Sequence, residues 1–270
     1  IDRSAPLLLF LHGGPGNSVG SYSSRFSSRL SKHFVVVHWD QRESGKTREV
    51  NPSTTSLSCQ LLVQDTHQLI LYLLEEFEED RLYLAGHSWG TYLGFEIARL
   101  HPELLEALIV IGPMVNQLES ERLALAKMKD RATSRKNAVA IRELDSVHIP
   151  FENGRQLYYH RKWMQEYVNG KSTLSEAFVL DGARIWWPVF VEASQANYFV
   201  LAPALATPIY FFVGRNDMQT NAGLAHQYYL AVDAPVKRFF WFEKGCHSIP
   251  ANEPGRMQDL IIDEVLSATK

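Results

Sequence analysis

Cysteine is scarce: the 270 residues contain two, Cys59 and Cys246. Two thiols build neither a disulfide framework nor a four-cysteine metal site, and their scarcity points to a reducing, cytoplasmic setting. No apolar stretch approaches the roughly 20 residues of a membrane-spanning helix, so no membrane span is expected. Neither sign of charge dominates, with 27 Lys and Arg against 30 Asp and Glu and a formal net charge of −3. That balance argues against a surface that coats nucleic acid. Internal repeats and low-complexity tracts are absent. An initial Met is also absent: the chain opens on Ile1, which reads as a trimmed chain whose leader, if it had one, is gone. What is there is ordinary for a globular protein, 46% hydrophobic and 21% charged, which argues against wholesale disorder. The length suits one large domain or a domain carrying a long insertion.

Strand and helix patterns alternate. Leu7 to Leu11 is wholly apolar and stops at His12-Gly13-Gly14-Pro15-Gly16, as a strand buried on both faces would. A Ser-rich stretch over 18–28 holds Tyr22 and Phe26 at helical spacing. Phe34 to Trp39, closed by Asp40, is the next β-rich run. Leu62, Leu69, Ile70, Leu73, Leu74 and Phe77 recur at the intervals of a long helix. Leu82 to Ala85 is a short strand leading into Gly86-His87-Ser88-Trp89-Gly90, followed by a helix to about Leu100 and a strand over Leu108 to Ile111. Then the rhythm stops. From Met114 to Pro203 there is no buried strand; Glu119 to Asp145 is charged and helix-prone, and Ile185 to Phe199 is rich in aromatics. Strands resume at Ile209 to Val213 and Val236 to Phe242, before a terminal helix from about Pro250 to Leu266. Such alternation implies a mostly parallel sheet covered on both faces. The interruption reads as a helical cap, because compact domains do not carry structureless loops of that length. The expected division is a catalytic core over 1–113 and 204–270 and a helical cap over 114–203.

Gly86-His87-Ser88-Trp89-Gly90 matches G-x-S-x-G, in the strand-to-helix context that this motif requires. A sharp turn there holds Ser88 in a strained conformation with its hydroxyl exposed above the sheet, and the flanking glycines avoid collisions with neighbouring backbone. The bland alternative is a Gly-Ser turn. Acyl transfer also needs N–H donors aimed at the developing oxyanion. One is expected from Trp89, the residue after the nucleophile, and one from the glycine turn, at Gly14.

A serine hydroxyl needs a base, and the base an orienting carboxylate, in the chain order Ser, acid, His. His101 ends the elbow helix, His148 and His160 fall in the cap, and His226 falls within a helical pattern. His247 lies in a Gly-Cys-His-Ser loop after the last strand, where such sheets carry function, and is the expected base. Asp217, just past the strand ending at Val213, is the expected acid; it could equally cap a helix starting near Thr220. Asp233 reads as a turn residue and Asp181 lies in the cap. The acidic run Glu75 to Asp80 reads as a solvated helix end. His12 and His38 have no carboxylate or cysteine at ligand spacing, so no metal is expected. The glycine turn lacks the Lys and Ser/Thr of a phosphate loop, and no cofactor is expected.

With these sites in hand, the chain resembles the α/β-hydrolase superfamily, and within it the proline iminopeptidase group of serine peptidases. His12-Gly13-Gly14-Pro15-Gly16, Gly86-His87-Ser88-Trp89-Gly90 and Asp40-Gln41-Arg42-Glu43-Ser44-Gly45-Lys46-Thr47, similar to the group's D-Q-R-G-x-G-x-S, carry the resemblance. It covers residues 7–113 and 207–268 and is fainter in the cap. Glu43 stands where the group has Gly, so the loop after Asp40 is expected to differ. The group also places acids against a substrate's free amino terminus. One of those positions is Met218 here; Glu192, in an aromatic segment with Trp187 and Phe190, resembles the counterpart of another, with plain cap packing as the competing reading. The amino-terminal hairpin usual in the group is missing or removed, in keeping with a trimmed chain. The resemblance implies an α/β fold with an inserted cap and an acyl-enzyme serine hydrolase, first an aminopeptidase on small peptides. A carboxylesterase on small or acyl-chain esters is the alternative, and a receptor that binds without turnover a remote one. A small molecule or short peptide is then the expected partner.

Overall fold

The computed structural model describes residues 4–18, 20 and 23–269. Tyr22, expected to share a helical face with Phe26, lies outside the described residues. Six parallel strands form one sheet: β1 (Leu7–Leu11), β2 (Val35–Trp39), β3 (Leu82–His87), β4 (Leu105–Ile111), β5 (Ile209–Gly214) and β6 (Lys237–Phe242). Their order is β2-β1-β3-β4-β5-β6. The chain therefore leaves β1 toward one edge and returns to build toward the other. The crevice between the carboxyl ends of β1 and β3 is the switch point at which open sheets of this kind bind ligands.

All five residues of β1 are buried. Leu7, Leu9 and Leu11 face one apolar layer, packed by α3 (Cys59–Phe77), α4 (Trp89–Leu100) and, further along the sheet, α10 (Ala222–Ala231). Leu8 and Phe10 face the other, with Phe26 of the short helix α1 (Ser23–Ser27) and the carboxyl-terminal segment. Period-two alternation with both faces covered explains the continuous apolar run. Another short helix, α2 (Gly45–Val50), follows the loop after β2. The expected terminal helix is broken into α11 (Ile249–Asn252), α12 (Pro254–Leu260) and a wide turn over Ile261–Leu266. Pro254 is the cause: it disfavours helical backbone at the preceding residue, and Glu253 sits at φ −130°, ψ 47°.

Five helices occupy the interval between β4 and β5: α5 (Gln117–Ser134), α6 (Ala138–Asp145), α7 (Gly154–Asn169), α8 (Glu176–Ser194) and α9 (Tyr198–Leu201). The charged stretch breaks between α5 and α6 at Lys136, which takes a left-handed conformation, and Asn137 caps α6 by accepting from Ala140 N at 3.1 Å. Met128, Leu144 and Met164 form a small core of this insert, and Met218 joins it from the loop after β5. Among the described residues no helix is long and apolar enough to cross a membrane.

Candidate active site

Ser88 joins β3 to α4 at φ 54°, ψ −120°, a region that costs a non-glycine residue strain energy. The neighbours hold it there. Its N–H donates to Ile111 O at 2.9 Å, and Thr91 donates to its carbonyl from both N (2.8 Å) and Oγ1 (2.6 Å). A β-carbon on Gly86 would lie 2.4 Å from Gly90 O, and one on Gly90 would lie 2.2 Å from Leu11 O, so only glycine fits either position.

The structure brings Ser88, His247 and Asp217 together from the ends of three strands. His247 Nε2 lies 2.8 Å from Ser88 Oγ, and His247 Nδ1 lies 2.9 Å from Asp217 Oδ2. A carboxylate only accepts, so Nδ1 carries the proton and Nε2 is free to accept from the hydroxyl. Asp217 is buried and also accepts from Gln219 N, Thr220 N and Thr220 Oγ1 at 2.9, 3.1 and 2.9 Å. Burial works against its charge most strongly, but His247 and these donors outweigh it and hold the carboxyl below the usual carboxylate range. Its capping therefore closes the turn over 217–220, while Asn221 caps α10 by accepting from Leu224 N. Of the other histidines, His101 stacks on His67 at 3.7 Å and His226 packs on Phe239 and Trp241.

Three residues support this arrangement in ways that spacing alone does not reveal. His87 Nε2 lies 3.0 Å from His247 O; that carbonyl can only accept, so His87 donates and pins the His247 loop. Burial pushes the His87 imidazole down to about 3, so it stays neutral. His12 bonds Gly13 O through Nδ1 (2.8 Å) and accepts from Gln41 N through Nε2 (3.1 Å). Gln41 in turn donates to His12 O and accepts from Trp89 Nε1 at 2.8 Å. The Asp40-Gln41-Arg42 loop thus ties the glycine turn to the elbow. Gly14, at φ +131°, and Trp89 border the recess containing Ser88. The Trp89 N–H belongs to the first turn of α4 and has no intrahelical acceptor. Glu43 adopts φ 57°, which explains why the related group has glycine there; its carboxylate accepts from Ser53 N and pairs with Arg48 at 3.6 Å.

The insert lines the rest of the site. Phe190 borders both the Ser88 recess and a larger adjoining cavity of about 510 Å³, to which Trp186 and Trp187 also contribute. Glu192, expected as a substrate anchor, is not among the residues that line either. Successive residues of a helix turn by about 100°, so a side chain two positions past Phe190 points away from the cavity. Glu192 Oε2 instead accepts from Cys59 N at 3.0 Å, in the first turn of α3. Burial, reinforced by Glu192, pushes the Cys59 thiol up to about 12.

Facing Ser88 instead is a polar cluster from α5 and α7 that the sequence reading missed. Glu121 is 1% exposed and grips the Arg161 guanidinium with both oxygens, at 2.5 and 2.6 Å. Gln117 Nε2 donates to the same carboxylate at 2.6 Å and to Gln219 O at 2.9 Å. Burial opposes the Glu121 charge, yet Arg161 keeps its carboxyl below the usual range. His160, buried behind the pair, donates to Glu121 O at 3.1 Å, and burial lowers its imidazole to about 4. Arg161 and Gln117 border the Ser88 recess; among the described residues, no carboxylate does.

Comparison with known proteins agrees with this architecture. The chain is 29% identical to a Bacillus subtilis (strain 168) protein named "Probable aminopeptidase YbaC", over 94% of this chain and 87% of that one. Among solved structures, the proline iminopeptidase of Mycobacterium smegmatis superposes with a TM-score of 0.66 at 16% identity, over all of this chain and 91% of that one. A thermophilic esterase from Thermogutta terrifontis gives 0.66 at 18% identity, over 98% and 91%. An α/β-hydrolase enzyme from a Medee basin deep-sea metagenome library gives 0.64 at 17% identity, over 97% and 90%. These likenesses establish the α/β-hydrolase fold. The profile of the serine aminopeptidase family S33 matches residues 3–255, and the chain belongs to that family.

Proposed function

We propose that the protein is a serine hydrolase acting through an acyl-enzyme. The observation that carries this reading is the continuous hydrogen-bonded series Ser88–His247–Asp217, in a recess that Gly14 and Trp89 also border. Ser88 Oγ attacks the substrate carbonyl carbon while His247 Nε2 takes its proton. Gly14 and Trp89 N–H groups meet the oxyanion as it forms. His247 then gives the proton to the leaving group, and water repeats the sequence to release the acid. Asp217 holds the tautomer and stabilises the imidazolium.

An aminopeptidase of the proline iminopeptidase type on small peptides is the substrate class we favour, on the strength of the family and of the Bacillus relative's name. The apolar walls supplied by Trp187 and Phe190 suit a proline-like ring. A carboxylesterase is the second reading, favoured by one observation: the Ser88 recess itself has no carboxylate among its described lining residues to meet a terminal ammonium, the carboxylates Glu43 and Asp181 lining only the larger adjoining cavity.

Ser88→Ala is expected to lose about three or more orders of magnitude in kcat and all labelling by a fluorophosphonate probe, with an unchanged circular dichroism spectrum. Prolyl and other aminoacyl p-nitroanilides, run beside p-nitrophenyl acetate and octanoate, decide between the two substrate classes. Labelling that persists in Ser88→Ala would remove Ser88 as the nucleophile.

A further inference from the structure

We propose that Arg161 and Gln117 are specificity-determining residues that read the leaving residue of a dipeptide, its free carboxylate and its amide N–H. The inference rests on the Ser88 hydrolase reading and deepens its peptide branch.

Both side chains border the recess that contains Ser88, and both are fixed by the same oxygen, Glu121 Oε1, at 2.5 Å from Arg161 Nη2 and 2.6 Å from Gln117 Nε2. They are therefore neighbours: Arg161 cannot swing away without leaving a buried carboxylate without its cation, and Gln117 cannot do so without giving up two hydrogen bonds. Glu121 occupies the Nη1–Nη2 fork of the guanidinium, and its Nε edge is not part of that grip. Arg161 is the charged side chain that borders the recess itself, and it also borders the adjoining cavity, whose lining adds Arg48, Glu43 and Asp181. Gln117 supplies the complementary half. Its Nε2 serves two acceptors, Glu121 and Gln219 O, which fixes the amide orientation. Its Oε1 is buried with no partner among the described residues. Gln117 borders the recess, so a ligand N–H placed beside it, once the side chain yields enough to uncover Oε1, supplies the donor that this acceptor lacks.

A cation beside an unused acceptor matches a carboxylate beside an N–H. In a dipeptide the leaving residue carries both on its α-carbon, two bonds from the carbonyl carbon that Ser88 attacks, with the N–H on the scissile nitrogen itself. A carboxylate is also the partner that a guanidinium holds most strongly. Longer peptides and amides put a neutral carbonyl where the carboxylate would sit.

The test compares kcat/KM for Pro-Ala and Ala-Ala with their carboxyl-terminal amides, and p-nitrophenyl hemisuccinate with the butyrate. The wild type is expected to favour the free dipeptides by about tenfold or more. Arg161→Lys should weaken that preference and Arg161→Gln abolish it. Since Arg161→Gln strands a buried carboxylate, the double variant Glu121→Gln/Arg161→Gln supplies a neutral pair in case the single one does not fold. Gln117→Leu should raise KM for the dipeptides more than for the esters. Calorimetric titration of Ser88→Ala with the same dipeptides and amides reads the preference without turnover, so failure of the hydrolase reading is separable from failure of this one. Equal affinity and equal kcat/KM for acid and amide overturn the proposal. So does a preference that survives in the double variant, or one seen for the hemisuccinate and absent among the peptides.

Discussion

Asp217 accepts four hydrogen bonds, from Gln219, Thr220 twice and His247, and each lone-pair direction is in use. An amide there would turn one acceptor into a donor. The geometry would survive, because three of the four contacts close a local turn, but His247 Nδ1 would have to accept and Nε2 would carry the proton. Ser88 would then face a donor where it needs an acceptor. Asp217→Asn is expected to keep the fold and lower kcat by roughly 10³–10⁴-fold. Steady-state rates on an activated ester, beside a near-ultraviolet dichroism spectrum, check this; a loss under tenfold would show that the imidazole is not oriented by Asp217. The same residue bears on acid stability. A carboxyl whose folded pKa is depressed contributes stability above its unfolded value of about 3.9 and loses it only as pH falls through the lower folded value.

At the level of elements, α8 decides which side chains reach the substrate and which hold the insert on the core. Phe190 lines both cavities, Trp186 and Ala193 each border one cavity and also touch the core layer that includes α3, and Val189 packs wholly on that layer. Glu192 closes the first turn of α3 from the side, adding an acceptor and a negative charge where the helix presents orphan N–H groups. Glu192→Gln is therefore expected to cost about 1 kcal/mol of stability, some 2–4 °C in Tm for a chain of this size, and to leave KM for aminoacyl amides unchanged. A raised KM with an unchanged Tm would return Glu192 to the substrate site. The aromatic content of this segment was readable from sequence, but its facing was not: a helix apolar nearly all round carries no phase, and contact with α3 sets it. The elbow and the loops after β5 and β6 were legible because each hangs on the end of a buried strand, where register is fixed by the sheet. His12, Gln41 and His87 were harder to assign because their bonds go to main-chain atoms and to an indole, partners that no spacing rule pairs with them. The Gln117–Glu121–Arg161 cluster joins two helices about 40 residues apart in sequence, and in sequence it looks like any charged surface.

For the molecule as a whole, the parallel sheet followed from runs buried on both faces and the insert from their interruption, while the strand order came only with the structure. What the run lengths left out is the electrostatic seam where sheet and insert meet. His12 and His160 are buried and His87 is half-buried, and all three are held neutral by desolvation, with His87 lowered to about 3 and His160 to about 4. An unfolded chain titrates the same imidazoles near 6.5. Below that value the unfolded state binds protons that the folded state refuses, so stability rises with pH between the folded and unfolded values and falls as the medium is acidified through that window. The lowered values of His87 and His160 each remove on the order of 1–2 kcal/mol by pH 5, and the lowered His12 acts in the same direction. The urea midpoint is thus expected to drop clearly from pH 7 to pH 5, well above the range where Asp217 protonates. His160→Gln, which can keep the donor to Glu121 O without a titrating group, should lower stability somewhat at pH 7 yet flatten the drop. Because His160 belongs to α7 and His87 to β3, a single cooperative transition at both pH values would also mean that insert and sheet unfold together. Midpoints that coincide at pH 7 and pH 5 in the wild type would require at least one of these imidazoles to gain a proton in the folded state, and with it a rearrangement of the Glu121–Arg161 pair or of the His247 loop.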